Sequence, residues 1–166
     1  EPYPADATAD LVLVTKRAHG TGNTSSSAVY EWVDGRLALR QELPETRGAH
    51  ALTHFAMGGM HWLFMSNHFE ADGNGFGVPS VLYAYAWSAS ANKNLFEPVQ
   101  SVATVGAVAA AHFHVDGADY IAVASYFNGS SFDIASPIVR LGRTSPDAPV
   151  PRVTHVQSVR TRGARD

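Results

Sequence analysis

The sequence contains no cysteine among its 166 residues, so disulfide bridges, thiolate metal ligands and cysteine nucleophiles are all excluded. It has no apolar run near the ~18 residues that a membrane-spanning helix needs, and no segment with a clear helical period. A formal net charge of −3 provides no basic surface of the kind that binds nucleic acid. We therefore predict no nucleic-acid partner and no membrane span within this sequence.

What the chain does contain is a repeated pattern. A His-Phe pair, a glycine-containing turn and an aromatic-led apolar run occur twice, starting at His54 and at His112, which are 58 residues apart. Gly-Ala pairs at Gly48, Gly106 and Gly163 mark the same register three times. Because one such unit cannot bury both of its faces alone, the copies are expected to pack against one another.

Short runs of β-branched and aromatic residues, bounded by turn residues, predict antiparallel strands. Asp34-Gly35 and Asp116-Gly117 are typical of two-residue hairpin turns. Residues 107–111 have a helix-forming composition, but the repeat register places them in a strand. The unbroken apolar run at 10–15 is typical of a strand buried on both faces. The other predicted strands lie at 28–33, 37–43, 52–57, 60–66, 80–86, 95–102, 109–115 and 119–125.

Four short strands repeated every 57 or 58 residues are the pattern of a β-propeller blade. The sequence thus predicts an all-β fold whose parts follow the copies, with the apolar runs 63–65 and 121–123 as inner strands. Those parts are 1–26 (the end of a preceding blade and its connector), 27–79 and 80–135 (two full blades) and 136–166 (a truncated third). Because a closed propeller needs about four to eight blades and the sequence begins at Glu1 without a leader, we expect a piece of a larger protein. Its first partners would be the remaining blades of the parent chain.

These motifs together resemble the epilepsy-associated repeat, also called the EPTP repeat, of the leucine-rich glioma-inactivated proteins and of a thrombospondin-type laminin G protein. The resemblance rests on Val29-Tyr30-Glu31-Trp32, the Gly-Ala and His-Phe pairs, and the run 120–131. It implies a propeller of about seven blades, of which this chain would hold about three, in four-stranded antiparallel form. It also implies a non-enzymatic protein–protein interaction module, secreted or at the cell surface. The residues after Gly48 and Gly106 depart from the family pattern, which bears on the partner more than on the fold.

Binding by such a module would use connectors gathered at one end of the blades. Connectors 17–26, 69–79 and 127–136 hold aromatic and polar residues. Exposed aromatic side chains dominate binding energy in many interfaces, so we predict Phe69, Phe76, Tyr126 and Phe127 as anchors for an extracellular or cell-surface protein partner. Packing between blades is the alternative for all four, and for Tyr126 and Phe127 it is the interpretation we favour.

Asn23 and Asn128 each begin an Asn-x-Ser sequence of the kind that is N-glycosylated. Both lie in the connector that follows an apolar run. We take them as candidate glycosylation sites, which would agree with a secreted protein.

The histidines raise the possibility of a metal site. His112 and His114 lie on one face of a strand, and His54, His61 and His68 could add ligands. No acidic cluster accompanies them, so we interpret them as structural hydrogen-bonding residues and predict no metal.

The sequence matches motifs for calcium binding, phosphate binding and nucleophilic catalysis even less well. Residues 72–77 resemble a calcium loop but lack the glutamate at the twelfth position, and their glycines lack the strand-then-helix context of a phosphate-binding loop. No nucleophile motif is present, so we predict no cofactor and no enzymatic activity. The alternative is a propeller enzyme or lectin-like binder with its site at the central channel, which apolar inner strands would disfavour.

Overall fold

A computed structural model of the chain describes residues 11–15, 26–43, 48–70, 75–143 and 151–165. Within these ranges the structure is all-β, as predicted, and it contains no helix that is long and apolar enough to cross a membrane. The strands are β1 Leu11–Val14, β2 Ser27–Val33, β3 Arg36–Leu43, β4 Ala49–Met57, β5 Met60–Asn67, β6 Ser80–Ser88, β7 Lys93–Val102, β8 Ala107–Val115, β9 Ala118–Ser125, β10 Asp133–Arg143 and β11 Pro151–Arg162. Every predicted strand is present, including the alanine-rich β8.

The strands form three antiparallel sheets in which neighbours in sequence are neighbours in space. The first sheet is β1-β2-β3, the second is β4-β5-β6-β7 and the third is β8-β9-β10-β11. We call these the first, second and third sheets. The division differs from the predicted one, because the first copy, 27–79, gives β2 and β3 to one sheet and β4 and β5 to the next. A repeat in sequence reveals its period but not the point at which one sheet ends.

The repeat is also visible in the backbone. The two-residue hairpin turns at 34–35, 58–59 and 116–117 each have two residues with positive φ, as at Asp34 (φ 50°) and Gly35 (φ 77°), which is the conformation that Asp-Gly turns favour. The last two strands of each sheet, β2–β3, β6–β7 and β10–β11, pair with one shift in register, and the shift lies at an equivalent residue each time. These irregularities lie between Val29 and Tyr30, between Leu82 and Tyr83, and between Ile138 and Val139.

The second sheet is buried on both faces. Alternate residues of β5 point to opposite faces of the sheet, and they join two different core clusters. Trp62 and Phe64 join a core cluster that includes Ile121 of the third sheet. Leu63 and Met65 join a second cluster with Val29 and Leu43 of the first sheet. Full burial of such side chains contributes about 1.5–3 kcal/mol each. The three sheets are therefore stacked in chain order by two apolar layers.

β1 departs from its prediction. Leu11 and Leu13 pack against the core between the first and second sheets, but Val12 and Val14 are 40% and 38% exposed. The expectation of burial on both faces is wrong because no described sheet lies on the outer side of β1. The sequence run alone could not show which neighbours the strand has.

The strands nearest to the neighbouring sheet are β4 and β8. The Thr53 hydroxyl donates to the Ala110 carbonyl at 2.7 Å, and His50 Nδ1 lies 2.8 Å from the Val108 carbonyl oxygen. The predicted inner runs, 63–65 and 121–123, lie in β5 and β9, the strands that pair with β4 and β8. The edge at which β4 approaches β8 therefore combines largely apolar strands with a few polar side chains, among them Thr53 and His50.

Candidate interaction surface

Glycine corners hold the connectors at one end of the sheets. Gly48 and Gly106 have positive φ, and their carbonyls accept hydrogen bonds from the amides of His68 (2.8 Å) and Tyr126 (2.9 Å). The Gly106 amide in turn donates to the Phe76 carbonyl at 2.7 Å. Each corner therefore ties the start of one sheet to the connector beyond its second strand.

The same bonding recurs one copy later. The Gly163 amide donates to the Phe132 carbonyl at 2.7 Å, as the Gly106 amide does to that of Phe76. Both phenylalanine carbonyls lie in the connector that precedes the third strand of a sheet. Repetition of the corner thus brings the aromatic residues of successive connectors to the same end.

Five of these side chains form a continuous row, which we call the aromatic row. Neighbouring ring centroids are separated by 4.9 Å between Phe69 and Phe76 and by 4.9 Å between Phe76 and Phe127. The row continues at 4.6 Å from Phe127 to Phe132 and at 5.0 Å from Phe132 to Tyr126. These are the separations at which aromatic pairs attract one another.

The row is exposed at some positions and supported at others. Phe69 and Phe132 are 40% and 46% exposed, whereas Phe76, Tyr126 and Phe127 are half-buried. Beneath them lies the buried ring of His68, with its centroid 5.2 Å from that of Phe76. The arrangement presents apolar rings to solvent while the half-buried members fix their positions.

Cationic side chains border the Tyr126 end of the row. Arg165 Nη2 donates to the Tyr126 hydroxyl at 2.8 Å, and its guanidinium carbon lies 4.7 Å from the ring centroid. Arg160 makes a two-pronged pair with Asp133 through Nε and Nη2, both at 2.8 Å. This hydrogen bonding, with the charges of Arg160 and Arg162, holds the pKa of the Asp133 carboxyl below its usual range. The rim beside the aromatic row is therefore polar and carries three arginines.

All four predicted anchors, Phe69, Phe76, Tyr126 and Phe127, lie in this row. Sequence reasoning missed Phe132 and Arg165. Phe132 stands in the predicted connector 127–136 but between polar residues, and Arg165 follows the third Gly-Ala pair. The repeated Gly-Ala pairs could have predicted Arg165, because each glycine corner places the residues that follow it beside the preceding connector.

The candidate glycosylation sites differ in what can be described. Asn23 lies outside the described residues. Asn128 is exposed next to the aromatic row, and its Oδ1 accepts hydrogen bonds from the amides of Ser130 (2.9 Å) and Ser131 (2.8 Å). A glycan joins asparagine at Nδ2, so these bonds leave the acceptor atom of that reaction uncommitted.

His54 and His112 pair with neighbouring side chains near the ends of β4 and β8 that lie away from the glycine corners. His54 Nε2 and His61 Nδ1 lie 3.0 Å apart, close enough to share a proton. One copy later, Asp119 takes the place of His61, and its Oδ1 lies 2.9 Å from His112 Nε2 and 3.1 Å from His114 Nδ1. Burial, with a smaller effect from the charge of His61, lowers the pKa of His54 below its ordinary value.

Neither pairing forms a recognisable metal centre. Within the described ranges, no group of three or more histidine or acidic side chains is arranged to hold a metal ion. The first half of the calcium-like segment 72–77 lies outside those ranges. The polar side chains of β4 and β8 thus bond to neighbouring side chains and to the main chain.

Comparison with known proteins agrees with the repeat. The EPTP domain model matches residues 95–132, a segment that contains most of β7, all of β8 and β9, the Gly106 corner and three members of the aromatic row. Over 112 residues, or 66% of this chain, the sequence is 34% identical to the mouse (Mus musculus) thrombospondin-type laminin G domain and EAR repeat-containing protein. It is 32% identical to the human (Homo sapiens) protein of the same name over 111 residues. The chain spans 16% of the length of either relative. Residues 95–132 therefore match the EPTP domain, and the chain is similar to proteins that contain epilepsy-associated (EAR) repeats.

Proposed function

We propose that the chain is a non-enzymatic protein–protein interaction module of a secreted or cell-surface protein, and that the aromatic row contacts the partner. EPTP repeats generally mediate interactions between proteins. The single observation that carries the proposal is the exposure of Phe69 and Phe132, two members of one continuous set of rings. Aromatic side chains supported by packed neighbours and bordered by arginine are typical of binding hot spots.

The three sheets are, in this proposal, consecutive blades of a β-propeller. Their support is the chain-order stacking, the four-stranded meander and the approach of β4 to β8 at one edge. A propeller gathers its connectors at two ends, which explains why one end carries the aromatic row and the other the histidine pairs. Stiff sheets beneath the connectors also lower the entropic cost of binding.

Location outside the cell is supported by the names of the relatives, which carry a thrombospondin-type laminin G domain, and by the exposed Asn128 sequence. Expression through a mammalian secretory pathway, with glycosidase treatment, tests it. A shift in electrophoretic mobility that is lost in Asn128→Gln or Ser130→Ala supports the proposal. An unshifted secreted chain, or a shift that survives both substitutions, removes Asn128 from its support.

A binding screen tests the interaction surface. The purified chain is presented to an array of secreted and cell-surface ectodomains, beside the variants Phe69→Ser and Phe132→Ser. Trp87→Ser is the matched control, because Trp87 is 36% exposed at the opposite end of the second sheet. We expect each row variant to weaken binding by at least about tenfold, or ~1.4 kcal/mol, while the control binds normally. A partner that binds the row variants and the parent chain equally would contradict the proposal.

A channel-based activity is the weaker alternative. Strands β4 and β8 offer His54 and His112, but both are engaged with neighbouring side chains at 3.0 and 2.9 Å. A catalytic or sugar-binding site needs groups directed at a ligand rather than at one another. The interaction module is therefore the function that the geometry supports best.

A further inference from the structure

Buried serine hydroxyls at one equivalent position of the second and third sheets are hydrogen-bonded. Ser80 Oγ lies 2.8 Å from Thr104 Oγ1, and Ser136 Oγ lies 2.8 Å from Thr161 Oγ1. In each pair one hydroxyl donates to the other. These residues follow the general rule that a hydroxyl removed from solvent has a partner, since an unpaired one loses its bonds to water without replacement.

Two other buried serines depart from this rule. Ser66 of β5 and Ser125 of β9 are both 0% exposed. Neither Ser66 Oγ nor Ser125 Oγ has a hydrogen-bond partner among the residues that the structure describes. Buried polar groups of this kind are often satisfied by an ordered water molecule.

Both hydroxyls point into the layer between the second and third sheets. Side chains two residues apart on a strand lie on the same face of the sheet. Ser66 therefore shares the face of Phe64, and Ser125 shares the face of Val123. Phe64 and Val123 both belong to the core cluster that joins these two sheets. The two serines thus face one layer from its opposite sides.

The two serines also lie at the same level of the layer, near the glycine corners. Ser66 pairs with Ala51, and Ser125 pairs with Ala107, each close to the start of the first strand of its sheet. At this level β4 and β8 are held together, because His50 Nδ1 lies 2.8 Å from a main-chain carbonyl oxygen of β8. The contact between the sheets therefore brings the regions of the two serines together.

Small side chains line the layer at this level. They are those of Ser66, Ser125 and the buried Ala107. Further along β5, the same layer is filled by Trp62 and Phe64. A buried water needs room and two to four polar partners. Small residues together with two hydroxyls are the features that such a site requires.

We infer that a water molecule is bound in this layer and bridges Ser66 Oγ and Ser125 Oγ. A hydroxyl can donate to water or accept from it, so one molecule would satisfy both buried groups. His68 follows Ser66 by two residues, and the centroid of its buried ring lies 5.2 Å from that of Phe76. The bridge would therefore join the second and third sheets next to the connectors that carry the aromatic row.

Thermal denaturation of the 166-residue chain tests the inference with Ser66→Ala, Ser125→Ala and the double variant. Either single substitution takes one partner from the water and leaves the other hydroxyl unsatisfied. We expect each single variant to melt about 3–6 °C below the parent chain. The double variant should melt no more than about 1 °C below the lower single variant, because the second substitution removes a hydroxyl that has already lost its partner.

Ser101→Ala is the matched control for these substitutions. Ser101 is exposed on β7, so its hydroxyl is solvated and its loss should change the melting temperature by less than about 1 °C. Circular dichroism verifies that each variant is folded.

NMR of the isotope-labelled chain observes the water directly. A long-lived bound water gives cross-relaxation peaks to the protons around Ser66 and Ser125, and we expect these peaks in the parent chain and their loss in the double variant. Ser80 is the internal control, because its hydroxyl is bonded to Thr104. No such peak is expected for the Ser80 hydroxyl.

Three results would each overturn the inference. Single variants that melt at or above the temperature of the parent chain would mean that the hydroxyls are unpaired, because alanine then removes the cost of burying them. A loss in the double variant equal to the sum of the single losses would mean that Ser66 and Ser125 have separate partners. The third is a parent chain without the cross-relaxation peaks. The screen for a protein partner involves neither serine, so the two proposals fail or stand separately.

Discussion

Gly106 lies directly against the main chain of Phe127. A Cβ atom at this position would stand 2.9 Å from the Phe127 carbonyl carbon and would overlap its oxygen, and the φ of Gly106 is +54°. We predict that Gly106→Ala lowers the free energy of unfolding by roughly 3 kcal/mol or more, through overlap added to backbone strain. Urea denaturation followed by tryptophan fluorescence measures the change.

Gly117→Ala is the matched control for this prediction. Gly117 also has a positive φ, +73°, but nothing lies within 4 Å of the Cβ position. Only the strain of the left-handed conformation is then added, about 1–2 kcal/mol. Equal losses in the two variants would mean that the Phe127 connector moves aside at little cost.

The cross-sheet glutamine gives a second prediction. Gln41→Ala removes both hydrogen bonds to the Phe96 main chain, so we expect a loss of about 1–3 kcal/mol in the free energy of unfolding. The exposed neighbour Glu42 serves as the control, and Glu42→Ala should change stability by no more than about 0.5 kcal/mol. Both are compared with the parent chain at one protein concentration. A loss as small as the control's would show that water replaces the amide without penalty.

Within the aromatic row, the half-buried members should contribute more to the free energy of unfolding than the exposed members. Phe76 is half-buried and contacts the rings of His68, Phe69 and Phe127, so Phe76→Ala is expected to cost roughly 2–3 kcal/mol of stability. Phe132 is 46% exposed and contacts two rings, so Phe132→Ala should cost about 1 kcal/mol. Thermal denaturation of the two variants measures the order. A larger loss for Phe132→Ala would make that residue part of the core rather than of the binding surface.

The strands and turns were predictable because their causes are local. Asp116-Gly117 needs two residues with positive φ, and short β-branched runs on both sides favour pairing. The division into sheets was not predictable, since the repeat has no marked origin and only hydrogen bonding assigns β4 to the sheet of β6. The exposure of Val12 likewise depends on a neighbour that the run of residues cannot specify.

The candidate site was predictable in part for the same reason. Phe69, Phe76, Tyr126 and Phe127 stand in connectors that the repeat brings together, so their positions in sequence pointed to one end of the fold. Contact between connectors is a tertiary property. Phe132 joins the row only because its ring meets Phe127 and Tyr126 across a turn.

The pKa of His54 can be tested with a substitution at His61 that introduces the residue found at the equivalent position of the next copy. His54 has a pKa below the ordinary value of 6.5, through burial first and the charge of His61 second. Its folded state therefore binds fewer protons than the unfolded state, so His54 contributes a loss of stability as the pH falls below about 6.5. His61→Asp reproduces the His112–Asp119 pair at the equivalent position, replacing a repulsive neighbour with an attractive one.

We expect the His54 pKa, followed by NMR titration, to rise in the order parent, His61→Gln, His61→Asp. His61→Gln removes only the repulsion, and because burial is the larger cause, the pKa should remain below 6.5. His61→Asp adds attraction, so the loss of stability between about pH 7 and pH 5 should shrink or change sign. A His54 pKa that returns fully to its ordinary value in His61→Gln would mean that the charge of His61, and not burial, controls this pair.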